Sequence, residues 1–295
     1  MLKKITQINT VSLFSGCGGG DLGLQGNFKY LGKKFAPTGF KVKWANDILP
    51  FAVETYIENF GEHIVNKDIA KVKSSEIPDH DLLVGGFPCQ TFSMVGQRKG
   101  TDDPRGVLYK QMIRVLKSKK PKAFIGENVK GLISISKGKV FNQMIKDFER
   151  AGYNVTYKVL NASHYGVPQK RERVFIVGVR KDLNKVFTFE EPPNIVVNLK
   201  DVVEDNATVD RKYYFSQRAL DGLKKANKAF NKGRAQSLNG PSNTISTHLS
   251  KVSLNGTDPV LLTAPGVYRR LTPLEAARIQ SFPDNFKFDG SEAKQ

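Results

Sequence analysis

A cysteine carried just past a strand end on a proline-stiffened loop is well placed to act as a nucleophile. Cys89 has this setting, in Asp81-Leu-Leu-Val-Gly-Gly-Phe-Pro-Cys-Gln-Thr-Phe-Ser93. Asp81-Leu-Leu-Val84 reads as a buried strand, Gly85-Gly86 lets the chain turn, and Pro88 restricts the backbone beneath the thiol. A lone cysteine is more often inert packing, but this placement reverses those odds. Residues 93–103 are polar, with glycines at 96 and 100, the makeup of a mobile lid. A second loop, Phe14-Ser-Gly-Cys-Gly-Gly-Gly-Asp21, follows a short strand at 10–14. Its glycines let the backbone approach a ligand, and a helix start beyond it favours a negative group. Gly18, Gly20 and Gly23 also satisfy the G-x-G-x-x-G spacing, so this segment alone leaves an NAD or FAD enzyme open. Asp47 ends the next strand and could bind ribose hydroxyls in either case. Cys17 reads as a small packing residue. Two cysteines and four histidines supply no zinc-type set, so no metal is expected. Free thiols fit a cytoplasmic chain.

The elements that must hold these loops alternate. Strand signals at 10–14, 41–45, 81–84, 122–125, 155–160 and 174–179 interleave with helix signals at 51–60, 107–117 and 140–150. That pattern predicts an α/β fold, a mostly parallel sheet with helices on both faces. Residues 26–40 read as a surface insertion. After about residue 181 the alternation fails, and 190–266 is irregular and turn-rich, a separate small domain. A helix returns at Thr272-Pro-Leu-Glu-Ala-Ala-Arg-Ile-Gln280, with Thr272 as N-cap, Pro273 at the first position and Glu275 at the third.

The 295 residues suffice for one large or two modest domains, and 39% apolar with 25% charged residues suits a globular protein. No apolar run reaches the roughly 20 residues that span a bilayer, and no signal peptide is evident, so no membrane partner is expected. Lys and Arg total 46 against 28 acids, a net charge of +18, which favours a polyanionic partner. The excess is concentrated at 211–234, where Arg211, Lys212, Arg218, Lys224, Lys225, Lys228, Lys232 and Arg234 face one acid, Asp221. A local stripe of this kind is a better footprint for nucleic acid than a diffuse surplus.

Six blocks in order resemble the DNA (cytosine-5) methyltransferase family of bacterial restriction-modification type. They are Phe14-Ser-Gly-Cys-Gly-Gly, Gly85-Gly-Phe-Pro-Cys-Gln-Thr-Phe-Ser, Asp103-Pro-Arg-Gly-Val-Leu108, Glu127-Asn-Val129, Gln169-Lys-Arg-Glu-Arg173 and Arg269-Arg-Leu-Thr-Pro-Leu-Glu-Ala-Ala-Arg-Ile-Gln-Ser-Phe-Pro283. The resemblance implies a Rossmann-like methyltransferase sheet that uses S-adenosylmethionine and releases S-adenosylhomocysteine. It divides the chain into a catalytic domain at 1–185, a small irregular target-recognition domain at 186–268 and a return segment at 269–295. Cys89 would add to C6 of a flipped-out cytosine, Glu127 would protonate N3, and Arg173 would hold O2. Arg171 would support the loop or a phosphate. Around the cofactor it implies Phe14 on the adenine, Asp47 on the ribose and Asp68 on the adenine amine. The Gly16, Cys17, Gly18 and Gly19 backbone would surround the methionine end, with Ile48, Ile69, Phe87 and Leu108 lining the rest.

Gln90, Ser93, Arg105, Thr244 and Ile245 are the implied DNA contacts. The implied partners are double-stranded DNA and a cognate restriction endonuclease. The family normally continues into an Asn-Gly-type segment and a final helix, whereas this chain stops at Ala293-Lys-Gln295. A truncated gene, a cut chain or a second polypeptide supplying the helix are the expectations there. A tRNA cytosine methyltransferase and a non-catalytic DNA-binding relic stand as alternatives.

Overall fold

The computed structural model describes residues 6–88, 108–225, 235–246, 249 and 259–290. Its first part runs β1 (Ile8–Leu13), α1 (Gly19–Gln25), β2 (Phe28–Tyr30), β3 (Lys33–Phe35), β4 (Phe40–Asp47), α2 (Pro50–Phe60), β5 (Ile64–Asn66) and β6 (Leu82–Gly85). It continues with α3 (Leu108–Lys119), β7 (Ala123–Val129), α4 (Lys139–Arg150), β8 (Tyr153–Asn161), β9 (Gln169–Lys170) and β10 (Glu172–Arg180). The 26–40 insertion is largely the β2–β3 hairpin.

Seven strands form one sheet in the order β5-β4-β1-β6-β7-β10-β8. Strands β5, β4, β1, β6 and β7 are parallel, as the alternating pattern predicts. The exception is β10, antiparallel to both neighbours. Residues 162–171 between β8 and β10 are too few for a crossover helix, so the chain must return in the opposite direction. From β1 the chain steps outward to β4 and β5, then crosses to β6 on the other side. The carboxyl ends of β1 and β6 therefore flank a topological switch point, where open α/β sheets form their crevice. The glycine turn leaves one of these ends and the Phe-Pro-Cys loop the other.

Two core clusters hold this sheet in place, the smaller made of Val42, Ala45, Val53, Tyr56 and Ile64. In the larger, Val11, Leu13, Leu83, Phe124, Val174 and Ile176 from the strands meet Met112 and Leu116 of α3 and Phe141, Met144 and Phe148 of α4. The helical residues recur at three- and four-residue spacing, so each helix turns one apolar face to the sheet.

A smaller unit follows, with α5 (Gln217–Lys225), β11 (Ala235–Gln236), β12 (Ser242–Asn243), β13 (Val260–Ala264), β14 (Val267–Arg269) and α6 (Pro273–Ile279). Its core is Leu199, Val202, Ile245, Leu261, Leu271 and Ile279. Leu271 and Ile279 thus pack with the small unit, whereas Phe282 and Phe286 join Phe60 of the large one. Thr272 caps α6 in the expected way: its hydroxyl accepts from Glu275 N at 3.1 Å, and Glu275 accepts from Thr272 N at 2.9 Å. The sequence does not show that Glu275 is also clasped by Arg269, through contacts of 2.6 and 2.7 Å with both side chains fully buried. Asn206 and the backbone N–H of Glu204 complete the cluster. No helix among the described residues is long and apolar enough to cross a membrane.

A buried ion pair is most costly when half of it is removed. Arg269→Met should therefore destabilise the fold by about 3–5 kcal/mol in urea unfolding. The double change Arg269→Met with Glu275→Leu should recover much of that loss.

Candidate active site

Strand register brings the chemistry together. Gly85 of β6 pairs with Gly126 of β7, so the residue after each lies side by side at the carboxyl end of the sheet. A side chain on Gly86 would meet Glu127 Oε2 at 3.2 Å, which places this carboxylate against the backbone leading to Cys89. The next residue, Asn128, is buried and donates from Nδ2 to the Phe87 carbonyl at 2.8 Å. Its own Oδ1 accepts from Val129 N at 2.9 Å. The amide therefore fixes the main chain one proline short of the cysteine. The Phe87 ring is buried in the core, 6.4 Å from the Tyr109 ring.

Antiparallel β10 supplies the opposing charge. Arg173 pairs with Val129 in register, and its Nε lies 3.0 Å from Glu127 Oε1. A second Arg173 nitrogen donates to the Glu172 carbonyl at 2.8 Å. Arg171 lies in the bend between β9 and β10, where its backbone N–H donates to Asn161 Oδ1. Burial lowers the pKa of its guanidinium, with Arg173 adding to the effect and Glu127 opposing it. Among the described residues no hydrogen bond or ion pair holds this guanidinium.

Across the switch point, Phe14 and Gly16 both take positive φ, 56° and 55°. Gly16 N donates to Asp47 Oδ2 at 2.8 Å, and Leu49 N donates to Asp47 Oδ1 at 2.9 Å. Asp47 thus laces the ends of β1 and β4 together and keeps lone pairs for further donors. Among the described residues, its two chain neighbours aside, no atom lies within 4 Å of the position a Gly16 side chain would take. At Gly18 and Gly19 the same position is filled from behind, by the rings of Phe60 and Phe282 respectively. Ile48 is exposed at the rim. Asp68 caps a 3-10 turn, accepting from Ala70 N at 2.9 Å, while Ile69 is buried in the core. Leu108 packs partly buried on that core. Burial raises the Cys17 thiol pKa, which keeps it protonated and unreactive. The open backbone at Gly16 and the Asp47 carboxylate leave space and acceptor lone pairs for a ligand's donors.

On the small unit, Thr244 is exposed and its hydroxyl donates to the Lys170 carbonyl at 2.7 Å, joining the unit to β9 beside the pairing of β12 with β9. Ile245, expected at the DNA, lies in that unit's core. Gln169 is fully buried, with no partner for its side-chain amide among the described residues. Cys89, Gln90, Ser93 and Arg105 lie outside the described residues, as do Lys228, Lys232 and Arg234 of the basic stripe. Among the described residues no cluster of three His, Cys, Asp or Glu side chains could hold a metal ion. Sequence reasoning gave no role to Asn128, although its Glu-Asn-Val block was noted. It also passed over Asp21 and Tyr56, whose burial has no motif to announce it.

The family model described as C-5 cytosine-specific DNA methylase matches residues 8–295. Type II methyltransferase M1.ScrFI of Lactococcus lactis subsp. cremoris is 36% identical over 291 residues, covering 96% of this chain and 72% of that protein. Type II methyltransferase M.MthTI of Methanothermobacter thermautotrophicus is 37% identical over 302 residues, covering 95% and 88%. The fold is shared with the Entamoeba histolytica methyltransferase EhMeth, at a TM-score of 0.77 and 19% identity over 98% of this chain and 91% of that one.

Removing the Asn128 amide would leave the Phe87 carbonyl buried and unpaired. Asn128→Ala should cost about 1–3 kcal/mol in denaturant unfolding. It should also speed amide hydrogen exchange at Gly86 and Phe87.

Proposed function

We propose, from the premise that the chain belongs to the C-5 cytosine-specific DNA methylase family, that it methylates a cytosine flipped out of a short specific duplex sequence, through a covalent bond from Cys89 to C6. It is a DNA (cytosine-5-)-methyltransferase of restriction-modification type and depends on S-adenosylmethionine. The observation that carries the finer reading is the Glu127–Arg173 pair set against the Gly86-Phe87-Pro88 approach to Cys89.

C5 of cytosine is too poor a nucleophile to take a methyl group unaided. The Cys89 thiolate adds to C6, breaking the 5,6 double bond and placing an electron pair at C5. A free cysteine has a pKa of about 8.5, so the site must favour the anion or remove its proton during attack. Glu127 supports the addition by passing a proton to N3 and accepting from the exocyclic amine. Arg173 holds O2, where negative charge also gathers. S-adenosylmethionine, when bound, would supply an electrophilic methyl on a sulfonium, with a neutral thioether as the leaving group. A base, for which a site water suffices, then takes the C5 proton. The electron pair re-forms the double bond and expels Cys89 as thiolate, and N3 returns its proton to Glu127.

The target atom lies inside a duplex, so the nucleotide must leave the stack. Gln90, Ser93 and Arg105 would close over it near the phosphates, with Arg171 as a further anion contact. Phe14, Ile48, Asp47 and Asp68 would hold the nucleoside end of the cofactor and the 16–19 backbone its methionine end. Residues 186–268 would read the sequence, with the 211–234 stripe on phosphates, which position without specifying. Thr244 would stand near the flipped site. Ile245 would support it from the core beneath. A cognate endonuclease and a cytoplasmic site of action complete the reading. The comparisons lend no support to a second polypeptide.

Tritiated methyl transfer tests this directly. Duplex DNA should be labelled and tRNA should not, and bisulfite sequencing should place the label at C5 in one sequence context. Labelling of tRNA alone would overturn the reading. Glu127→Gln should lower kcat by about 10²–10⁴-fold. Cys89→Ser should abolish turnover.

A further inference from the structure

The reaction scheme makes no use of the acid buried beneath the glycine turn. Asp21, in the first turn of α1, is almost wholly buried. Its Oδ1 accepts from the Ser12 hydroxyl at 2.7 Å and its Oδ2 from the Tyr56 hydroxyl at 2.9 Å. The Ser15 hydroxyl stands 2.9 Å from that of Ser12 and 3.1 Å from the Ser12 carbonyl. On the far side, Tyr56 OH meets His63 Nε2 at 3.1 Å. Ser12 belongs to β1, Tyr56 to α2, and Ser15 to the turn itself, so one carboxyl joins the three segments around the candidate cofactor cradle. A carboxyl this deep costs stability, and proteins tend to retain such groups where function needs them.

We propose that Asp21 is a positioning residue for S-adenosylmethionine, acting through Ser12 and Ser15 to hold the 14–19 backbone in the shape that receives the cofactor's methionine end. The proposal rests on the reading of this turn as the cofactor site. The polarity of the chain supports it. When Asp21 is ionised it can only accept, so Ser12 and Tyr56 must both donate to it. Ser12 then has lone pairs left for Ser15, whose hydroxyl can donate to the Ser12 hydroxyl or to the Ser12 carbonyl. When Asp21 carries a proton it becomes a donor, and the order can reverse toward Tyr56 and His63.

Burial raises the Asp21 pKa to about 6, against the opposing hydrogen bonds from Ser12 and Tyr56. The other ionisable groups around it are Tyr56, raised by burial and by Asp21, and His63, lowered by burial and by Lys41. Cys17 and Asp47 lie across the turn. The sign follows from the raised acid. The stability this group contributes is full below the ordinary carboxylate pKa and lost as pH rises through about 6. At pH 8 the ionised form therefore burdens the fold, while the cofactor site gains its order.

Calorimetric titration of S-adenosylmethionine into the full chain at pH 5.5 and 8, with thermal melts alongside, separates positioning from plain structure. The native chain should bind more weakly at pH 5.5. Asp21→Asn should bind about ten-fold more weakly at pH 8, with the pH dependence gone and a Tm no lower than the native one. In steady state its KM for S-adenosylmethionine should rise while kcat and the KM for DNA hold. Ser15→Ala, which leaves Asp21 and its Ser12 and Tyr56 partners in place, should also weaken binding and decides the matter if Asp21→Asn does not fold. Native affinity and native pH dependence in the folded variants would overturn the proposal alone. No binding by the native chain would instead overturn the cofactor reading beneath it.

Discussion

The approach of Glu127 to the backbone of Gly86 is the constraint on which the catalytic end of this protein depends. It follows from the register of β6 on β7, and any side chain at position 86 would press on the carboxylate. Around that contact the strands act as a jig. Asn128 reaches across to pin Phe87, and β10 returns antiparallel to bring Arg173 onto Glu127. A parallel β10 would begin at the opposite end of the sheet and leave the carboxylate without its cation. The short β8–β10 connection is thus as much part of the site as any side chain in it.

The cofactor side is governed by close approach of a different kind. Gly18 and Gly19 accept aromatic rings from Phe60 and Phe282, and Phe282 packs in turn with Phe286 and Phe288. The segment after α6 therefore buttresses the glycine turn from behind. The same stretch begins in the small unit's core, through Leu271 and Ile279. Residues 269–288 are thereby a strap between the unit proposed to read DNA and the turn proposed to hold the methyl donor, with the Arg269–Glu275 pair at its root.

Local pattern foretold most of the sheet, because buried strands and amphipathic helices carry period-two and period-3.6 signals that need no tertiary knowledge. The cap of α6 was legible for the same reason, since Thr272, Pro273 and Glu275 satisfy each other within one turn. The direction of β10 was not, because it depends on connection length rather than on the residues of the strand. The placement of Ile245 was missed because an aliphatic residue in an irregular segment gives no sign of which way it faces. Asp21 and Asn128 were overlooked as participants because their partners are distant in sequence, at Tyr56 and Phe87. The ordered motifs pointed to the family, and the structure added what supports them.

The central claim is that the sulfur of Cys89 bonds to the pyrimidine ring. Duplex DNA carrying 5-fluorocytosine at the target position tests it most directly, because fluorine cannot be removed as a proton and the enzyme stalls after methyl transfer. With S-adenosylmethionine present, mass spectrometry of the digested complex should find the modified nucleotide attached to the peptide containing Cys89. Methylation of ordinary DNA with no such adduct, or an adduct on another residue, would contradict the account.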